Sequence, residues 1–181
     1  MFRIVTTAAA ALALAACSSG NDDGDTDGDG TISAEEASAA AAKMRPLEAG
    51  EYKMKMEIVD IVDPGANPEE IEQAKKFFST MSEMAPPRCL NEEEAKEGMM
   101  GIAESIQNGD CTVEKMSSNA DGMTSEMTCK AQNGDAKVVM ESTSTGTEAE
   151  MTMTVTEPTV DSSEKRVVMK VGMTRQGDCS Q

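Results

Sequence analysis

Ala136-Lys137-Val138-Val139-Met140-Glu141-Ser142-Thr143 and, five residues on, Glu148-Ala149-Glu150-Met151-Thr152-Met153-Thr154-Val155-Thr156 set apolar against polar residues in strict or near-strict alternation. A period of two is the mark of a strand with one face buried. The same alternation runs backward through Met123 to Ala131 and Cys111 to Ser117, and forward through Arg166 to Arg175. Asn119-Ala120-Asp121-Gly122 and Asn133-Gly134-Asp135 supply hairpin turns between these runs. Inward positions fall on Met123, Met127, Cys129, Val138, Met140, Met151, Met153, Val155, Val167, Met169, Val171 and Met173, a core face of Met and Val.

Upstream, Tyr52, Met54, Met56 and Ile58 alternate with Lys53, Lys55 and Glu57, which predicts a further half-buried strand ended by Pro64, Gly65, Asn67 and Pro68. Pro68-Glu69-Glu70-Ile71 opens a helix with Ile71, Ala74, Lys75, Phe78 and Met81 at helical spacing, and Pro86-Pro87 stops it. Asn91 caps a second helix through Glu92, Glu93 and Glu94, with Glu94 placed for a capping box and an end near Asn108-Gly109. Short connections favour sequential antiparallel pairing. The prediction is an α+β domain over residues 45–181, a curved antiparallel meander of about six strands with two packed helices.

The N-terminus has a different logic. Arg3 precedes an uncharged run from Ile4 to Ala16, too short to span a bilayer, which needs about 20 residues; residues 1–16 read as a signal peptide. Leu14-Ala15-Ala16-Cys17 resembles the lipobox of bacterial lipoproteins, which implies lipidation of Cys17 and a membrane anchor in the cell envelope. Ser18, where an Asp would favour the inner membrane in some bacteria, points to the outer membrane.

Residues 17–44 then form an acidic tether. Between 18 and 36 stand Asp22, Asp23, Asp25, Asp27, Asp29, Glu35 and Glu36, with no basic residue. Composition alone suits a solvated segment, but the order is sharper. Asp25-Thr26-Asp27-Gly28-Asp29-Gly30-Thr31-Ile32-Ser33-Ala34-Glu35-Glu36 resembles an EF-hand loop at all twelve positions. Ca²⁺ takes six to eight oxygens, and such a loop offers them at alternate positions. The resemblance assigns Asp25, Asp27 and Asp29 as monodentate ligands, the Thr31 carbonyl, a water held by Ser33, and bidentate Glu36, with Gly30 at the sharp turn. Ile32 matches the apolar position that pairs with a partner loop or packs on the domain. The Ala-rich stretch from Ser33 to Lys43 supplies the exiting helix, whereas Gly20 to Gly24 cannot form an entering one. A half motif of this kind is expected to bind weakly, in the range of about 10⁻⁴ to 10⁻³ M.

The chain carries 33 acidic and 16 basic residues, a net charge of −17, so a phosphate backbone would repel it and nucleic acid is not an expected partner. It has no His, which excludes Ser-His-Asp and Cys-His catalysis and His-bearing zinc sites. The paired acids at Glu69-Glu70 and Glu92-Glu93-Glu94 sit where helix starts attract them, and no enzyme is expected. Of the 16 Met, Met54/Met56, Met81/Met84 and Met151/Met153 have spacings that suit Cu(I). Met also fills cores, and this chain, with three Phe, one Tyr and no Trp, must build its core largely from it.

Beyond Cys17, four cysteines remain, Cys89, Cys111, Cys129 and Cys179, and an even number outside the cytoplasm reads as disulfides. Face parity pairs Cys129 with Cys179, leaving Cys89 and Cys111 to clip the second helix to the strand after it. Residues 47–179 resemble a domain of unknown function recurrent in exported proteins of Gram-negative bacteria, through Pro46-Leu47-Glu48-Ala49-Gly50-Glu51-Tyr52, Cys89-Leu90-Asn91-Glu92-Glu93-Glu94-Ala95 and Gly177-Asp178-Cys179. The expected function is that of a periplasm-facing, lipid-anchored calcium-binding protein whose globular part binds or supports an envelope protein or an apolar ligand. The competing expectation is a carrier of Cu(I) or an apolar small molecule, with the acidic segment only a tether.

Overall fold

The computed structural model describes residues 24–97, 111–159 and 163–179. Three helices, α1 (Ala34–Ala41), α2 (Pro68–Met84) and α3 (Glu92–Glu97), accompany seven strands, β1 (Gly50–Val62), β2 (Arg88–Leu90), β3 (Cys111–Ser118), β4 (Gly122–Ala131), β5 (Gly134–Ser144), β6 (Glu148–Pro158) and β7 (Glu164–Gly177). None of the described helices is long and apolar enough to cross a membrane. The strands form one antiparallel sheet in the order β2-β1-β7-β6-β5-β4-β3, so the chain is α+β as the alternation predicts.

From β3 to β7 the sheet is the sequential meander that short connections dictate. Two features depart from the sequence reading. The three-residue β2 adds a seventh strand, paired with the first three residues of β1, and β1 pairs along nearly its whole length on the other side with β7, the last strand. The expected end of the second helix near Asn108-Gly109 lies outside the described residues. Its start is as read: Asn91 Oδ1 accepts from the amides of Glu93 and Glu94 at 2.9 Å each, and Glu94 Oε2 accepts from the Asn91 amide at 3.0 Å.

Register aligns the inward residues across the whole sheet. Met127 stands opposite Val138 and Val113, Met153 opposite Met140 and Met169, and Val171 opposite Met151 and Met56. The buried part of this face is concentrated at the β3–β5 end, where α1 lies over Val113, Met116, Met123, Met127, Val138 and Met140. A smaller cluster of Tyr52, Leu90 and Ala95 closes the other end. Tyr52 is fully buried, and its hydroxyl is shared between the carbonyls of Glu48 at 2.8 Å and Gly146 at 3.1 Å.

Helix α2 runs along the free edge of β1. The Met56 amide, left without a strand partner on that side, donates to Ser82 Oγ at 2.6 Å, and Lys53 Nζ donates to the Glu83 and Ala85 carbonyls at the helix C-terminus. An exposed strand edge is thereby covered. The helix turns small residues to the strand, with Ser82 only 3 % exposed. Phe78 and Met81, read as part of its apolar stripe, are therefore in large part exposed, as are Phe77 and Met84.

The cystine pairing differs from the parity reading. Cys111 is bonded to Cys129, and Cys89 to Cys179. Parity places Cys129 and Cys179 on related faces, but β5 and β6 stand between β4 and β7. Adjacency decides instead: Cys111 and Cys129 are direct cross-strand partners, while Cys89 lies opposite Glu51, which lies opposite Gly177 at the end of β7.

Candidate metal centre

The acidic loop folds back on itself through its own carboxylates. Asp25 Oδ1 accepts from the Gly28 amide at 2.7 Å and its Oδ2 from the Gly30 amide at 3.0 Å. Asp27 Oδ1 accepts from the Asp29 amide at 3.1 Å, and Asp29 Oδ1 takes both the amide and the hydroxyl of Thr31 at 2.8 Å. Asx turns of this kind follow from short carboxylates bonding amides two residues on. The Gly30 φ of 87° is the left-handed conformation that the sixth position calls for.

The result is that one carboxylate oxygen each from Asp25, Asp27 and Asp29 lies within 4.8 Å of the others. Asp27 and Asp29 are exposed and Asp25 is half-buried. Hard oxygen donors in a compact set are the chemistry that Ca²⁺ selects, so these residues fit the ion that the sequence assigns them.

Glu36 does not join that group of three. It reaches the loop from the first turn of α1: Oε1 accepts from the Thr26 amide at 2.7 Å and the Thr26 hydroxyl at 2.6 Å, and Oε2 from the Ser33 amide and hydroxyl at 2.9 Å each. Ser33 Oγ in turn accepts from the Glu36 amide, completing a capping box. The Thr26 hydroxyl, the Ser33 and Thr26 amides and the Ser33 hydroxyl together hold the Glu36 carboxyl down at about 2, from an ordinary 4.5. Thr26 was invisible as a contributor in the sequence, because its position in the loop carries no ligand signature. Ser33 is seen here as a helix cap, and the Thr31 side chain as a donor to Asp29.

The loop is fastened to the sheet rather than hanging from it. The Gly24 amide donates to the Met116 carbonyl at 2.7 Å, and the Ile32 amide to the Val113 carbonyl at 3.0 Å, along the outer edge of β3. Ile32 forms an antiparallel bridge with Val113, and its side chain is 7 % exposed within the main core. A Cβ added at Gly24 would stand 3.2 Å from Met116 and 3.3 Å from Ile32, so the tight approach suits glycine. The apolar eighth position of the loop thus packs on the chain's own domain. Cys17, the expected lipidation site, lies outside the described residues.

Residues 44–179 match the model of a family described as protein of unknown function, DUF3617, and the chain belongs to that family. No curated protein and no solved structure matches it. The acidic loop and the whole of α1 precede the matched residues, although their side chains complete the core that the matched residues build.

Proposed function

We propose that this DUF3617 protein is a lipid-anchored envelope protein that binds calcium through a half EF-hand, with its sheet serving as a binding or structural module and not as an enzyme. The observation that carries the reading is the convergence of Asp25, Asp27 and Asp29 oxygens within 4.8 Å in a loop whose twelfth position, Glu36, turns its carboxylate back to Thr26 and Ser33 of the same loop. Asp25, Asp27, Asp29, Glu36 and the Thr31 carbonyl would hold the ion, with Ser33 beside it. A bound calcium would supply the positive charge that three close carboxylates otherwise lack. Anchoring at Cys17 and a periplasm-facing, outer-membrane location rest on the sequence at residues 1–18.

The test is isothermal titration calorimetry on the chain with Cys17→Ser. Saturable calcium heat in the millimolar or submillimolar range, abolished in the Asp25→Ala, Glu36→Ala double variant, is the expected outcome. No heat at millimolar calcium, or heat unchanged in that variant, removes the loop as a site.

A carrier of Cu(I) or an apolar molecule is a second reading, favoured by the exposure of Met81, Met84, Phe77 and Phe78 along α2 and of Met56 on β1. Competition for Cu(I) against a chromophoric chelator, repeated with Met81→Leu and Met84→Leu, separates it from the calcium reading. Lipid extracted from the purified protein would speak for the apolar form.

A further inference from the structure

Helix α2 turns Ser82 to β1 and leaves its largest apolar side chains outside. Phe77, Phe78, Met81 and Met84 follow one another at helical spacing along one flank of the helix, and Lys76 and Glu83 fall on the other. Phe77 is 62 % exposed and Met84 74 %. Side chains that line a groove shelter one another, so exposure of this size describes a ridge that projects. The Phe77 and Phe78 rings meet edge to face, 6.1 Å apart, and stand in it as a unit. A run of large apolar side chains on a surface marks contact with another apolar body.

The surroundings of the ridge suit a lipid surface. The net charge of −17 opposes an anionic membrane, but charges near the ridge are matched: Lys55 with Glu57 at 3.8 Å, Lys75 with Glu72 at 3.6 Å and Arg88 with Glu94 at 3.3 Å. The helix end beside Met84 is also closed. Lys53 Nζ donates to the Glu83 and Ala85 carbonyls, and the Ala85 amide to the Met81 carbonyl at 3.1 Å. Pressing this flank into hydrocarbon therefore strands neither a charge nor a carbonyl at the helix end.

Chain length brings the bilayer within reach. Seven residue steps separate Cys17 from Gly24, whose amide is bonded to β3, and however they run they span at most about 25 Å. Between β3 and β1, beside which α2 lies, there are five strand spacings, no more than roughly 24 Å. A domain held at Gly24 by an anchor on Cys17 can thus lay the far edge of its sheet on the same membrane.

We propose that the α2 ridge of Phe77, Phe78, Met81 and Met84 is a second membrane contact, which seats the domain on a lipid surface poor in anionic headgroups. This rests on the anchor at Cys17 read above and owes nothing to calcium.

The experiment uses the processed chain purified from membranes, labelled in its methionine methyl groups and placed in phosphatidylcholine nanodiscs with and without nitroxide-labelled phosphatidylcholine. Relaxation of the Met81 and Met84 methyls by the nitroxide is expected to exceed that of Met116 and Met127 at least fivefold. In Phe77→Asn, Met84→Asn, the effect at Met81 is expected to fall at least fivefold, while the Met116 and Met127 signals hold their shifts. Should those core signals move, Phe77→Asn alone carries the comparison. An effect at Met81 that the substitutions leave unchanged overturns the proposal, since nearness to the anchor then accounts for it. Mass spectrometry of the N-terminal peptide reads the anchor separately. Acyl mass on Cys17 with equal relaxation at Met81 and Met116 overturns the ridge and leaves the anchor standing; no acyl mass overturns the anchor and the proposal with it. Met81 and Met84 signals that shift with protein concentration in unlabelled discs mark pairing of two chains through the ridge and overturn the lipid assignment.

Discussion

Replacing Cys89 and Cys179 together by Ala removes the link between β2 and the end of β7, which closes 90 residues of chain; replacing Cys111 and Cys129 removes a cross-strand link that closes only 18. On the chain-entropy estimate the long closure is worth about 4.6 kcal/mol and the short one about 3.2 kcal/mol. For a protein of this size each kcal/mol moves Tm by roughly 2 to 4 °C, so the first variant should melt about 3 to 6 °C below the second. Alanine is the right substitute because Cys111 and Cys129 pack against the main core, where a serine hydroxyl would add its own cost. Scanning calorimetry gives the two melting points, and peptide mapping under non-reducing conditions gives the linkage. A reversed order of melting would show that native packing around β3 and β4 outweighs loop closure. A peptide joining Cys129 to Cys179 would refute the strand order itself.

Three further outcomes follow from the packing. Tyr52→Phe leaves the Glu48 carbonyl without the buried hydroxyl that reaches it, and urea unfolding should show a loss of about 1 to 3 kcal/mol. Met127→Ala, at 4 % exposure beneath α1, should cost about 2 to 5 kcal/mol. By contrast Met84→Ala, at 74 % exposure, should stay within about 0.5 kcal/mol of the native chain in the same denaturation series. The Glu36 carboxyl titrates lower in the folded protein than in the unfolded one, so its contribution is whole above pH 4.5 and is lost as the pH falls toward about 2. Carboxyl NMR should place its midpoint near the bottom of that window, with the Thr26 and Ser33 amides moving in step; a midpoint at 4.5 would show that those bonds do not persist in solution.

Much of this fold could be read from residue order, because alternation is a local property. Met151, Met153 and Val155 announce both a strand and the face that packs toward the core, and the hairpin turns after β3 and β4 leave few choices of neighbour. What could not be read was long-range adjacency. Nothing in Tyr52 to Ile58 says that its partner is Met169 to Arg175, more than a hundred residues on, and without that pairing the approach of Cys89 to Cys179 is hidden. Parity says which face a cysteine occupies but not which strand stands beside it. On α2 the periodic Phe78 and Met81 outvoted Ser82 in the sequence, yet a small hydroxyl that satisfies the Met56 amide is what lets the helix lie against a strand edge.

The loop shows the same division. Asp25, Asp27, Asp29, Gly30 and Glu36 are legible because a ligand shell imposes fixed spacing. The hold of Thr26 on Glu36 and the docking of Gly24 and Ile32 on β3 are not, since one depends on the closed shape of the loop and the other on an edge strand formed some eighty residues later.

Calcium titration of the amide spectrum, followed at Gly30 and Ile32, bears most directly on the account. The Gly30 amide bonds a carboxylate of the cluster and the Ile32 amide bonds the sheet, so one spectrum reads the loop and its mooring together. Saturable movement of both signals at millimolar calcium or below, gone in Asp25→Ala, is the outcome the account requires. Signals that stay in place throughout would contradict it.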